Sequence, residues 1–312
     1  MNAESHSIQI VGIDVGGTKV AGGLVSFPQG SLAAKITFPT RPERGGEALL
    51  IDVANLAAQL LERAQSSATP VSGIGVGICE LVDVQGTVMS AATVPWKGCA
   101  LREKLEQLAP TTVEADVRAG ALAEAIFGAG KPFHSFVYLT VGTGISHTLV
   151  CGAQAYTGAR GNALIAASGA LSFDCNKCGA HSEFVLEEFA SGPALVRRYN
   201  EISGESVKSG EEVVSAAGRN NPGAIQVLTS GGEALGNLAG LLVNILDPEA
   251  IIVGGGLGLS GGHYWRHFES STRRHIWYEG ARDLPIRPAA LGVDAGIIGA
   301  TVARWQKQKL SS

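Results

Sequence analysis

The stretch that most constrains this chain lies near its start: Ile8-Gln9-Ile10-Val11-Gly12-Ile13-Asp14-Val15-Gly16-Gly17-Thr18-Lys19-Val20. The apolar, β-branched residues predict a buried strand, and Gly16-Gly17 predict a tight turn out of it. With no Cβ in the way, such a turn lets backbone N–H groups approach an anion. Thr18 adds a hydroxyl, Lys19 a cation, and Asp14 a carboxylate suited to Mg²⁺. Together these are the parts needed to hold a polyphosphate and its metal. A hairpin turn with one solvated lysine is the competing reading of the same residues.

The pattern returns further along. Phe136–Val141 reads as a strand whose exit is Gly142-Thr143-Gly144, with Thr140 just before it and a paired strand at 147–150. Ala250–Val253 reads as a buried strand leaving through Gly254-Gly255-Gly256. Strands are also expected at 8–13, 20–26, 33–38, 71–78 and 112–114. Helices are expected at 46–66, 101–108, 118–127, 184–202, 223–246 and 295–308. Strands with glycine exits, separated by helices, predict an α/β protein of two similar halves. No Walker A sequence is present, so a P-loop has little support.

Composition narrows the function classes. A chain of 312 residues suits two domains or one large one, and 45% hydrophobic residues can build a sizeable core. The net charge of −4, with no basic stripe, gives no reason to expect nucleic acid. No run is long and apolar enough for a membrane span, and Met1–His6 is polar rather than signal-like. Five cysteines without framework spacing fit a reducing, cytoplasmic setting.

Taken in order, these pieces resemble the ROK family of sugar kinases and repressors, within the actin-like ATPase superfamily. The resemblance rests on Asp14-Val15-Gly16-Gly17-Thr18-Lys19, Glu114-Ala115-Asp116, Val141-Gly142-Thr143-Gly144-Ile145, the Cys175–His181 segment, Glu187 through Ser191-Gly192, and Asp247-Pro248-Glu249 leading to Gly254-Gly255-Gly256. It implies an actin-like (ribonuclease H-like) two-domain α/β fold with a central cleft. Residues 1–117 plus 294–312 would form one domain and 118–293 the other. It further implies ATP and Mg²⁺ as cofactors and a small-molecule sugar or sugar-like polyol as substrate. A homo-oligomer, dimer or tetramer, is expected, without nucleic acid or membrane. Asp14, Gly16, Gly17, Thr18 and Lys19 would serve phosphates and metal. Thr140, Gly142, Thr143 and Gly144 would form a second phosphate turn, and Gly254, Gly255 and Gly256 the nucleotide-facing turn. Asp116 would be the catalytic base; by position alone it reads equally as a helix cap. Only thirteen residues precede Asp14, which leaves no room for the DNA-binding segment expected of a repressor.

The departures fall on the acceptor side. Ala115 stands where the family's sugar kinases carry Asn. Leu164-Ile165-Ala166-Ala167-Ser168 replaces a run that supplies a sugar-binding Glu and a zinc-ligand His. Glu187 matches a remaining sugar-contacting Glu, or is a helix-surface residue. Gly77-Ile78-Cys79-Glu80-Leu81-Val82-Asp83 replaces the usual Pro-Gly turn, offering Glu80 as a new substrate acceptor, with Arg118 in a similar role, or both as structural ion-pair partners. Trp96 falls in a substrate-side loop or in the core. Cys175, Cys178 and His181 are spaced for a structural Zn²⁺ that would need a fourth ligand, or are free side chains. The resulting expectation is ATP-dependent phosphorylation of a hexose or hexose-like sugar, of glucokinase type. Amino sugars and cyclitols remain open as acceptors, and a non-catalytic sugar or nucleotide sensor is the reading from another class.

Overall fold

A computed structural model describes residues 7–66 and 69–311. The polar lead Met1–His6 lies outside the described residues. In chain order the elements are β1 (Ile8–Val15), β2 (Lys19–Phe27), β3 (Ser31–Pro39), α1 (Gly46–Gln65), β4 (Val71–Ile78), α2 (Leu101–Glu106), β5 (Thr111–Ala115), α3 (Asp116–Phe127), β6 (Ser135–Val141), β7 (Ile145–Cys151), β8 (Gln154–Ala155), β9 (Leu171–Asp174), β10 (His181–Phe184), α4 (Leu186–Ala190), α5 (Gly192–Ser203), α6 (Gly210–Gly218), α7 (Pro222–Leu246), β11 (Ala250–Gly254), α8 (Gly262–His275), β12 (Ile286–Pro288) and α9 (Ala295–Ser311). They fall into two compact units. The first comprises the chain up to Lys131, Ala153–Ala163 and the chain from Val293; the second comprises Pro132–Gly152 and Leu164–Gly292. The first unit therefore runs past the expected boundary at 117, because α3 packs along α9.

In the first unit the sheet order is β3-β2-β1-β4-β5, antiparallel on the β3 side and parallel from β1 through β4 to β5. Strand alternation explains how its two faces differ. Val11, Ile13 and Val15 of β1 and Ile74, Val76 and Ile78 of β4 point to one side, into a core shared with Leu49, Val53, Leu56 and Leu60 of α1. The intervening positions are Gly12 and Asp14 on β1 and Gly75 and Gly77 on β4. On that second face α9 lies unusually close. A Cβ at Gly12 would press on Ile297 and Thr301, and one at Gly75 would overlap the Ala300 carbonyl. The glycines of β4 are thus the seat of a helix that arrives more than two hundred residues later.

In the second unit β11 pairs in parallel with β6 and β12, and β6 pairs antiparallel with β7. Its core joins Leu139, Val141 and Ile145 of the sheet to Leu235, Ala239 and Val243 of α7 and Phe268 of α8. Helix α7 meets α8 so closely that a Cβ on Gly236 would stand 2.5 Å from the Phe268 carbonyl oxygen. The single helix expected over 184–202 is instead split. Residues 181–184 form β10, α4 follows, and the chain bends at Ser191 (φ −73°, ψ 165°) before α5. Pro193 accounts for the break, since it has no N–H to offer and fits only the first turn of a new helix. Helices α6 and α8 were not anticipated; α6 is only nine residues long, and α8 is polar overall with a narrow buried stripe. Among the described residues no helix is long and apolar enough to cross a membrane.

His147 of β7 is 2% exposed, and among the described residues neither ring nitrogen has a hydrogen-bond partner. Desolvation pushes its pKa down to about 4. The unfolded chain therefore binds a proton between about pH 6.5 and 4 that the folded chain refuses, so stability falls as pH drops through that window. The loss amounts to about 3 kcal/mol by pH 4. Urea midpoints of His147→Leu should show a higher stability at pH 5 and a flatter dependence between pH 5 and 7.5. An unchanged slope would remove His147 as the cause.

Candidate functional site

In the first unit, β1 delivers Asp14 on the glycine face and then turns. Gly16 N–H donates to the Lys19 carbonyl at 3.0 Å and closes the turn. Thr40, which is fully buried, backs it with two bonds: its N–H donates to Thr18 O at 3.0 Å and its hydroxyl to Gly16 O at 2.6 Å. Among the described residues the N–H groups of Gly17 and Thr18 meet no protein acceptor. They are left to an external anion or to water.

Asp14 sits beside Gly77 in register and lies against Gly296 in the first turn of α9, where a Cβ would overlap its carboxyl. Burial pushes its pKa up to about 6, with the Lys19 ammonium working in the opposite direction. Asp116 is the first residue of α3. It is not the cap: Ala115 holds that position, with no side-chain capping bond, and among the described residues Asp116 Oδ1 accepts only the N–H of Val117, at 2.6 Å. Burial pushes its pKa up to about 7; the charge of Asp14 and, more weakly, that of Glu80 push the same way, against the Val117 N–H and the Arg118 guanidinium. A carboxyl with such a pKa can take up a proton near neutrality.

Glu80 was expected to receive substrate, and the structure corrects this. It is 5% exposed, and its two oxygens accept from Ser90 Oγ, from Ala92 N at 2.9 Å, from Thr93 N at 2.5 Å and from Val94 N at 2.7 Å. Four donors fill the acceptor capacity of a carboxylate. Arg118 likewise resolves as structural. Its Nε donates to Glu114 at 2.6 Å, and its terminal nitrogens donate to Gly161 O at 2.7 Å and Val82 O at 2.8 Å. Trp96 is in the core, fully buried, with its indole N–H on Gly46 O at 2.8 Å.

The second unit brings its two glycine turns together. Gly142 N–H donates to Gly144 O at 2.9 Å, and among the described residues Thr143 N–H has no protein acceptor. Gly255 has φ +81° and packs on the Val141 backbone, whose carbonyl also accepts from Leu257 N. A Cβ on Gly142 would stand 4.0 Å from Gly256 N, and one on Gly256 would meet nothing. Thr140, partly exposed at the end of β6, pairs with Gly254. Glu187 is not a free helix-surface residue. Its Oε2 accepts from Ile145 N at 2.7 Å and would lie 2.6 Å from a Cβ on Gly144, so it braces the 142–144 turn. Sequence reasoning gave no signal for that contact, or for Thr40.

The residues present do not fit the expected zinc. Cys175 and Cys178 lie in the turn between β9 and β10, and His181 Nδ1 pairs with Asp174 at 2.9 Å. Among the described residues no group of three or more His, Cys, Asp or Glu side chains is placed to hold a metal ion. Backbone N–H groups of Lys177 and Cys178 do hold the Cys175 thiol below its usual pKa, but the further ligands a Zn²⁺ needs are not gathered there.

Known proteins resemble this chain over nearly its full length. A glucokinase of Streptomyces coelicolor is 31% identical across 93% of this chain and 95% of its own. A kanosamine kinase of Amycolatopsis mediterranei is 30% identical across 93% of this chain and 94% of its own. The crystal structure of a ROK hexokinase from Thermus thermophilus superposes with a TM-score of 0.80 at 30% identity, covering 97% of this chain and 99% of that one. The family profile matches residues 10–308, and the chain belongs to the ROK family.

Proposed function

We propose that this chain is an ATP-dependent sugar kinase that transfers a phosphoryl group to a hydroxyl of a hexose or hexose-like sugar. The observation that carries this reading is Asp116, a carboxyl with its pKa near neutrality, at the head of α3 and within the field of Asp14. Phosphoryl transfer asks for phosphate neutralisation, positioning and a base for the attacking hydroxyl. Gly17 and Thr18 present free N–H groups, Lys19 brings a cation, and Asp116 accepts the hydroxyl proton. The glycine turns at 142–144 and 254–256 are assigned to the nucleotide, where the absence of side chains lets backbone approach a ligand. Asp14 fits Mg²⁺: burial raises its pKa, and a divalent cation would favour the ionised form. When bound, that ion would offset charge on the phosphates.

An amino-sugar acceptor is the second reading. It is favoured by the kanosamine kinase and by an N-acetylgalactosamine kinase of Shewanella that is 28% identical across 93% of this chain. The run Leu164–Ser168, with Ile165 40% exposed, supports it as well, since neither carboxylate nor imidazole stands there to select an ordinary hexose.

An ADP-release assay over hexoses, amino sugars and cyclitols tests the proposal. ADP formation that depends on one of these acceptors is expected. ATP binding with no turnover on any of them would overturn the kinase reading in favour of a sensor. Thr40→Val should raise KM for ATP about fivefold, because the Gly16 carbonyl loses its hydroxyl donor, a change of about 1 kcal/mol. Steady-state kinetics with ATP varied at saturating sugar would read it.

A further inference from the structure

Residues 90–96 form an irregular loop, and its backbone N–H groups need acceptors from somewhere else. One end is fixed by Trp96, buried and bonded to Gly46. The other end is fixed by one side chain. Three consecutive N–H groups, from Ala92, Thr93 and Val94, converge on the Glu80 carboxylate. Ser90 Oγ donates to the same carboxylate while accepting from Leu81 N at 2.8 Å. Thr93 is the middle residue of the Glu80-held segment. A Cβ on Gly17 would overlap its Cγ2, so the methyl rests directly on the turn that leaves free N–H groups at Gly17 and Thr18.

We propose that Glu80 is a positioning residue for nucleotide binding: it gathers the 92–94 backbone into a fixed arc and thereby holds the Thr93 methyl against Gly17. The inference rests on the nucleotide reading of that turn given above. Thr40 bonds the turn at Gly16 and Thr18, and the Glu80-held loop packs on it at Gly17. A flexible glycine pair is thereby pre-set for phosphate before any ligand arrives, which lowers the ordering cost of binding. Burial opposes ionisation of Glu80, but the bonds from Ser90, Val94, Thr93 and Ala92 together outweigh it and bring its pKa below the usual value. The brace is therefore charged throughout the neutral range.

Three variants test the idea: Glu80→Gln, Thr93→Ser, which removes only the methyl, and the double variant. Gln keeps the shape but places an NH₂ where Ala92 N–H must donate. Amide exchange measured without nucleotide should speed at Thr93, Val94 and Gly16, whose N–H closes the turn on Lys19 O, together in Glu80→Gln, by about tenfold or more. ADP affinity by calorimetry should weaken about tenfold in Glu80→Gln and about threefold in Thr93→Ser. The double variant should bind no more weakly than Glu80→Gln, because the two residues act in series. In turnover, KM for ATP should rise more than KM for the acceptor. Unchanged exchange at Gly16, or additive losses in the double variant, would overturn the proposal. If Glu80→Gln does not fold, Thr93→Ser alone decides, and an ADP affinity equal to wild type would overturn it. The exchange readout needs no substrate, so it stands apart from the kinase assignment. A wild-type chain that binds no ADP overturns that assignment, whereas Gly16 exchange still tests the brace.

Discussion

Asp116→Asn is expected to bind ATP within about twofold of wild type and to lose about 10²–10⁴-fold in kcat. Asn preserves the size of the side chain and can still accept from Val117 N–H, so the start of α3 should be undisturbed. What it cannot do is take up a proton. The wild-type rate should fall on the acid side with an apparent pKa near 7, because the proton acceptor is lost once Asp116 is protonated. That limb should be missing from the residual activity of the variant. Initial rates from pH 5.5 to 8.5 at saturating ATP and acceptor would show it. Turnover within about tenfold of wild type, or an acid limb that persists in the variant, would remove Asp116 as the base. A variant that loses ATP binding as well would point to a role in holding the nucleotide or its metal.

Gly75→Ala should cost about 3–5 kcal/mol of stability, well beyond the usual effect of one added methyl. The methyl would overlap the Ala300 carbonyl oxygen and carbon and press on Thr301 N. These are backbone atoms inside α9 and cannot rotate away. Relief requires lifting the helix, which also carries Gly296 against Asp14 and Gly299 against the Ala119 carbonyl. The damage should therefore extend to the site: the fraction that still folds should bind nucleotide more weakly. Gly218→Ala is the control, since a Cβ there meets nothing, and it should be neutral or slightly stabilising. Urea unfolding of the three proteins would rank them. A loss below about 1 kcal/mol at Gly75 would mean that α9 can shift without penalty.

Much of the architecture was legible in the chain because it depends on local pattern. The aliphatic alternation of 8–15 and 71–78 marked strands, the leucine spacing of 46–66 marked α1, and glycines after apolar runs marked the turns. The short α6 and the polar α8 went unseen; where apolar residues continued through Ser191-Gly192-Pro193, one helix was expected in place of two. The candidate site divides in the same way. Backbone-based parts such as Gly16-Gly17 and Gly142-Thr143-Gly144 carry their own signature. Side chains whose partners lie far off in sequence do not. Glu80 looked available for substrate because nothing in 77–83 reveals that Ala92, Thr93 and Val94 will saturate it. Asp116 looked equally like a cap, and only the position of Ala115 separated the two readings.

The sequence by itself determined the strand-and-turn units and the chemical kit of Asp14, Lys19 and Asp116, because these reside in residue type and short spacing. Tertiary structure decided which of those groups remain free to act. Glu80 loses an apparent role in binding by accepting the backbone N–H groups of Ala92–Val94, and Glu187 gains a second task by accepting the N–H of Ile145 through one of its oxygens. It also decided the purpose of the glycines in β1 and β4. They are spaced like any alternating strand, and only the arrival of α9 shows that their missing side chains leave room for a helix backbone and for the carboxyl of Asp14. A contact of that kind depends on atoms brought together from opposite ends of the chain, and no local pattern encodes it.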